Sequence, residues 1–210
     1  MKKSLLSPIL LGLVLLFPTP SIAQDAFTTF VYFTGIGCPH CAHVDPVLFK
    51  QKVRTGGLMV VEYEIYQNAV NAPLLMSYKE AYNAPLGVPM LLAKAQKNSA
   101  VVGDKNILKD IDSLMAGNKG NGVVLPAGAV SFSSLALSDL PGLPKIWFND
   151  RVAERTEMGT QESAPVKAFL LNGMEPQGCE PSPKKRVSLS GDGVLFAKAC
   201  TFNGWHLLHN

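Results

Sequence analysis

The chain has 210 residues, 47% of them hydrophobic and 17% charged, with a formal net charge of +3. That composition excludes a disordered chain, and the length suffices for one medium domain or two small ones. The charge is too small for a nucleic-acid surface; the one late basic run, Lys184-Lys185-Arg186, reads as a solvated loop, and no nucleic-acid partner is expected.

At the N-terminus, Met1-Lys2-Lys3 puts positive charge ahead of an apolar run over 9–17, and Ser21-Ile22-Ala23 supplies the small residues of a cleavage site. Residues 1–23 therefore read as a signal peptide, which predicts a periplasmic or extracellular protein. The apolar run is roughly half the ~20 residues of a spanning helix, which argues against an uncleaved anchor. Outside the cytoplasm disulfides form and persist, so the cysteines Cys38, Cys41, Cys179 and Cys200 are free to do thiol chemistry or to cross-link.

Residues 27–33 are aromatic or β-branched, the composition of a buried strand, and Gly35 and Gly37 break it just before the first cysteine. Val44, Val47, Leu48 and Val53 then recur at helical spacing, with Pro46 expected to kink the helix. A second strand is expected over 58–65. A helix opening near Pro73 and carrying Leu74, Leu75, Tyr78, Ala81 and Tyr82 follows, closed by Pro85. Residues 88–92 and 100–102 read as a hairpin, and Asp104 as the cap of a helix with Ile107, Leu108, Ile111, Leu114 and Met115 on its apolar face. Gly117 is its expected stop, and the Gly/Asn-rich stretch beyond it a linker over 118–125. After that, short runs at 145–148, 166–170, 187–189 and 194–196 between Gly and Pro clusters predict an all-β tail over 126–210. No internal repeat or low-complexity tract is visible.

The chemistry lies in Cys38-Pro39-His40-Cys41. Cysteines three apart at a helix start can close a disulfide across one turn, and the first of them meets free backbone N–H groups and the positive end of the helix dipole. Cys38 is thus the expected nucleophile, and Cys41, one turn in, the thiol that resolves a mixed disulfide. Pro39 fixes the backbone at the helix start, and His40 brings positive charge near the Cys38 sulfur; both favour a thiolate. No second CxxC or Cys/His pair at zinc-finger spacing follows, which argues against structural zinc. A disulfide closing so small a loop would stabilise the fold little.

The run Phe-Val-Tyr-Phe-Thr-Gly-Ile-Gly-Cys-Pro-His-Cys, with Gly87-Val88-Pro89 downstream, resembles the thioredoxin superfamily, and its Pro-His dipeptide resembles the DsbA type. The resemblance implies a thioredoxin-like α/β fold (a central mixed sheet flanked by helices) over 24–117. It also implies a cis Pro89 facing the CxxC, and a Val88 whose backbone pairs with substrate. Pro46 matches the kink proline of the active-site helix. There are departures: the acidic residue six positions before the first cysteine is replaced by Tyr32, and the order of elements lacks the large helical insertion of DsbA.

The tail is expected to be a small all-β domain stapled by a structural Cys179–Cys200 disulfide, whose 21-residue spacing fits on the order of 3 kcal/mol of chain-entropy stabilisation. A second redox pair is the alternative role for it. Trp147 and Trp205 are expected in the core. The expected function is exchange of disulfides with cysteine-containing exported proteins, with a membrane or soluble redox partner resetting the couple and no cofactor or metal. Two rivals are a copper or zinc metallochaperone using the CxxC with His40, His43, His206 or His209, and a surface-binding protein whose β-rich tail carries the function.

Overall fold

The computed structural model describes residues 27–117, 120, 122–159 and 163–210. The expected signal peptide, and residues 118, 119 and 121 of the expected linker, lie outside the described residues. The fold is α/β, built on a large mixed sheet.

The sheet starts in two runs rich in aromatic and β-branched residues. β1 (Thr28–Thr34) runs parallel to β2 (Leu58–Glu64), pairing Thr28 with Leu58 and Thr34 with Glu64, and every residue of both strands is buried. Period-two alternation sends Phe30 and Tyr32 to one face and Val31 and Phe33 to the other, so both faces must be covered. On the first face lies α1 (Pro39–Asp45), continued by a wider, π-type turn of helix over Pro46–Val53. The change falls at Pro46, which has no N–H to continue the ladder, as expected of a kink. On the second face lies α2 (Ala72–Tyr82), which buries Leu75, Tyr78 and Tyr82 and stops at Asn83 in the left-handed region, φ 50°, two residues before the expected Pro85. The hairpin of β3 (Met90–Leu92) and β4 (Val101–Val102) adds antiparallel to the free edge of β1, and α3 (Asp104–Gly117) returns to the first face.

Beyond 117 the structure corrects three expectations. The end of the expected linker is a strand: β5 (Gly122–Leu125) pairs with β6 (Gly128–Ser131), buries Val123 and Val124, and offers the Val124 carbonyl to the Tyr78 hydroxyl at 3.0 Å. Residues 166–170, expected as a strand, lie in the helix α4 (Ser163–Asn172). Val166, Phe169 and Leu170 stand at i, i+3 and i+4, so helical coiling puts all three on one buried face where a strand would have split them. Finally, the strands of the tail form no separate β-domain sheet. β7 (Lys145–Phe148) pairs antiparallel with β2, followed by β8 (Arg151–Arg155), β13 (Trp205–His209), β12 (Lys198–Phe202) and β9 (Glu180–Ser182), which gives one nine-stranded sheet of order β4-β3-β1-β2-β7-β8-β13-β12-β9. The reason is the edge of β2: within 27–117 it has only β1 beside it, and its other row of N–H and C=O groups needs a partner.

The remaining pair, β10 (Arg186–Val187) and β11 (Val194–Leu195), forms a small hairpin lying on the first face, where Val187, Leu189, Val194 and Phe196 join Val44, Leu48, Phe49 and Trp147 in one apolar cluster. Both tryptophans are buried as expected. Among the described residues no helix is long and apolar enough to cross a membrane.

Candidate redox site

Cys38 is the N-cap of α1: its backbone is extended (φ −76°, ψ 118°), Pro39 occupies the first helical turn, and the Cys38 Sγ accepts the Cys41 N–H at 3.2 Å. The helix therefore gives the first sulfur one of its own unsatisfied donors. Both cysteines are free thiols and both are buried, Cys41 completely. Burial first, then the hydrogen bond with Cys38, pushes the Cys41 thiol up to about 12, while contacts from the Thr34 side chain and the Gly35 backbone oppose the rise. At neutral pH Cys41 is a protonated thiol that needs a base before it can attack.

A buried carboxylate near Cys41 was not visible as such in the sequence. Tyr32 occupies the position where the family resemblance calls for an acid, but its hydroxyl donates at 2.8 Å to Asp45, which α1 carries one turn after Cys41. Asp45 is 1% exposed; its Oδ1 also accepts from the Thr34 hydroxyl at 3.4 Å, and its Oδ2 accepts from the Ser190 N–H at 2.8 Å. Burial, and then the charge of Glu62, raise its carboxyl to about 7, against the stabilising hydrogen bonds of Tyr32, Ser190 and Thr34. Thr34 hydrogen-bonds the Cys41 sulfur as well, so a thiol, a hydroxyl and a carboxylate stand in series. Glu62 is also fully buried, and its carboxyl is raised by that burial. Opposing the rise are Lys145 at 3.4 Å and the Trp147 indole N–H, which donates to it at 2.6 Å. No spacing rule links 45 with 62; only the pleat of β2 and the turn of α1 set them on the same face.

Above the cysteines, Glu64 at the end of β2 gathers the surrounding loops. Its carboxylate accepts from the backbone N–H groups of Ile36 at 3.0 Å, Tyr66 at 2.8 Å, Gln67 at 2.9 Å and Asn68 at 2.9 Å. These bonds lay the Tyr66 ring on Gly35, where a Cβ would fall 2.6 Å from a ring carbon, so that only glycine fits. The Tyr66 side chain hydrogen-bonds Cys38 and is 59% exposed, an apolar surface beside the nucleophile.

His40 points outward. Its Nδ1 lies 3.2 Å from Asp104 Oδ1, and the Nδ1 of His43 lies 2.7 Å from Asp104 Oδ2, so the residue expected to cap α3 bridges two histidines of α1. Asp104 is lowered to about 2, first by the hydrogen bond from His43 and then by His40. The Val88–Pro89 peptide is cis, as the resemblance implied. β3 begins one residue later and pairs Met90 with Phe33, which sets Val88 and Pro89 at the same end of the sheet as Cys38.

Of the histidines of the metal reading, His40 and His43 meet at Asp104, while His206 and His209 pair elsewhere. His206 lies against Glu154 at 3.7 Å and His209 against Glu175 at 2.7 Å, and among the described residues no three His, Cys, Asp or Glu side chains gather as metal ligands. Cys179 and Cys200 are joined in a disulfide with Cα atoms 5.6 Å apart. No protein-family model, curated protein or solved structure matches the chain.

Proposed function

We propose that this protein is an exported thiol–disulfide oxidoreductase of thioredoxin-like fold that exchanges disulfides with cysteine-containing proteins through Cys38 and Cys41. The observation that carries the reading is the Cys38 sulfur at a helix N-terminus, next to a buried Cys41 thiol that has Asp45 within reach through Thr34. The Cys38 thiolate attacks one sulfur of a substrate disulfide; a bond forms to Cys38, the substrate S–S bond breaks, and the departing thiolate takes a proton. Cys41 then passes its proton through Thr34 to Asp45 and attacks Cys38. The Cys38–Cys41 disulfide forms, the mixed disulfide breaks, and the substrate leaves reduced by two electrons. Each step is reversible, so the same atoms oxidise a dithiol when the protein enters as the disulfide, and a redox partner resets the couple.

Exposed Tyr66, with Val88 and Pro89 at the same end of the sheet, supplies the surface on which a substrate segment lies. The test is the equilibrium of the Cys38–Cys41 couple in glutathione buffers, together with turnover of a disulfide-bonded protein. A couple that equilibrates and turns over supports the reading, and its potential assigns oxidant or reductant. A pair inert to glutathione with no turnover rejects it.

A further inference from the structure

A carboxylate as deeply buried as Asp45 needs its oxygens filled, and one of its partners comes from 145 residues away. Ser190 opens the turn Ser190-Gly191-Asp192-Gly193 between β10 and β11. Its N–H donates to Asp45 Oδ2 at 2.8 Å, and its hydroxyl donates to the Gly35 carbonyl, which also accepts the Cys38 N–H at 3.0 Å. One residue, 2% exposed, thus holds both the carboxylate below the cysteines and the turn in front of them. The turn itself is narrow: Gly193 has φ +70°, and a Cβ there would meet the Val187 carbonyl oxygen at 2.6 Å. Val187, Leu189, Val194 and Phe196 seat the hairpin in the cluster that packs α1. The whole hairpin lies inside the loop that Cys179 and Cys200 close.

We propose that the disulfide-closed segment 179–200 is a strap whose Ser190 is a positioning residue for the redox site, holding the Asp45 carboxylate and the Gly35 turn under Cys38 and Cys41. The proposal rests on the oxidoreductase reading for its purpose, and on the two Ser190 hydrogen bonds for its geometry. The titratable groups facing Asp45 are Tyr32 from β1 and Glu62 from β2, with Cys41 one turn earlier on its own helix; the strap contributes an uncharged N–H and excludes water. Loosening the strap admits water to the carboxylate and removes the desolvation that is the main cause of its raised titration.

The experiment follows the Asp45 carboxyl by 13C NMR across pH 3–9 in the full mature chain, reduced gently until only Cys38 and Cys41 titrate as thiols. It is repeated in Cys179→Ala/Cys200→Ala and in Leu189→Ala, which loosens the apolar seat of the strap beside Ser190. The unaltered protein is expected to titrate near 7. The strap-opened variant is expected to shift the midpoint down by at least one pH unit, regained hydration outweighing the lost Ser190 N–H bond, with Leu189→Ala shifting it less, and the pH profile of mixed-disulfide resolution moves with it. An unchanged midpoint in the folded variants overturns the strap while leaving the oxidoreductase reading intact. Should the double variant fail to fold, Leu189→Ala decides alone, an unmoved midpoint again counting against the proposal. Absence of thiol exchange in the unaltered protein rejects the oxidoreductase reading instead, and the titration still reports on the strap.

Discussion

The regions around the two cysteine pairs use the same element in opposite ways. Cys38 and Cys41 are three residues apart on a helix start, both thiols, one supplied with a backbone donor and the other set near a buried acid. Cys179 and Cys200 are 21 residues apart and bridged, Cys200 on β12 where its neighbours are strands rather than a helix end. The difference teaches that reactivity comes from the electrostatics around a sulfur. Among the described residues the second pair has no helix N-terminus with a carboxylate behind it, which is why the proposed function gives the first pair the exchange chemistry and the second the task of holding chain together.

Substituting the nucleophile tests this contrast most severely. Cys38→Ser is expected to drop disulfide exchange to background, and Cys41→Ser to accumulate mixed disulfides visible by mass spectrometry. Normal turnover in either variant would remove the asymmetry within the first pair.

Next in size is Asp45→Asn, expected to slow resolution of the mixed disulfide about 10²-fold, the scale of general-base catalysis, in rapid-mixing kinetics. The same carboxyl makes a stability signature whose sign is fixed. Its folded value of about 7 exceeds the unfolded value near 3.8, so between those pH values the native protein holds a proton that the unfolded chain has released. Stability therefore falls as pH rises through that window, by at most about 4 kcal/mol from this group, and is level above it. Denaturant unfolding of Asp45→Asn across pH 4–8 should lack that slope.

Removing the second pair is a test of stability. Cys179→Ala/Cys200→Ala should lower unfolding free energy by ~3 kcal/mol, measured as a shift of the urea midpoint, while resolution by Cys41 changes its pH profile and Cys38 keeps its activity in attacking a small disulfide. Loss of that activity in a folded variant would show that the second pair is a redox relay rather than a staple. The smallest effect belongs to the histidine clamp: His40→Ala or Asp104→Asn should slow attack of Cys38 on a small disulfide by no more than about fivefold, because both imidazoles lie in solvent that screens them. Equal rates would show that the imidazole does not tune the nucleophile.

The order of strands and helices over 27–117 was legible because each element there announces itself by short-range pattern. β1 and β2 are rich in apolar and β-branched residues, α3 has an apolar face at helical spacing, and glycines or prolines stand between them. The tail was harder for a physical reason. Val166, Phe169 and Leu170 sit within a five-residue stretch, interrupted by Lys167, whose pattern strand and helix share, and what makes it a helix is the sheet face it covers. The fate of Lys145–Phe148 likewise depended on β2 having an unpaired edge, a property of the fold and not of those four residues.

The sequence by itself determined the chemistry: two cysteines a helical turn apart, a proline and a histidine between them, a Val-Pro downstream, and a second cysteine pair far enough apart to close a loop. Local spacing suffices for those, because a helix turn and its dipole are made by neighbouring residues. The tertiary structure alone decided what the cysteines touch. Asp45 came to lie behind the cysteines with Tyr32 as its hydrogen-bond donor, Asp104 joined two histidines, and Ser190 arrived from the far end of the chain. A buried carboxylate takes its partners from whatever strands, helices and turns pack around it, and that packing is settled only when the whole sheet has closed.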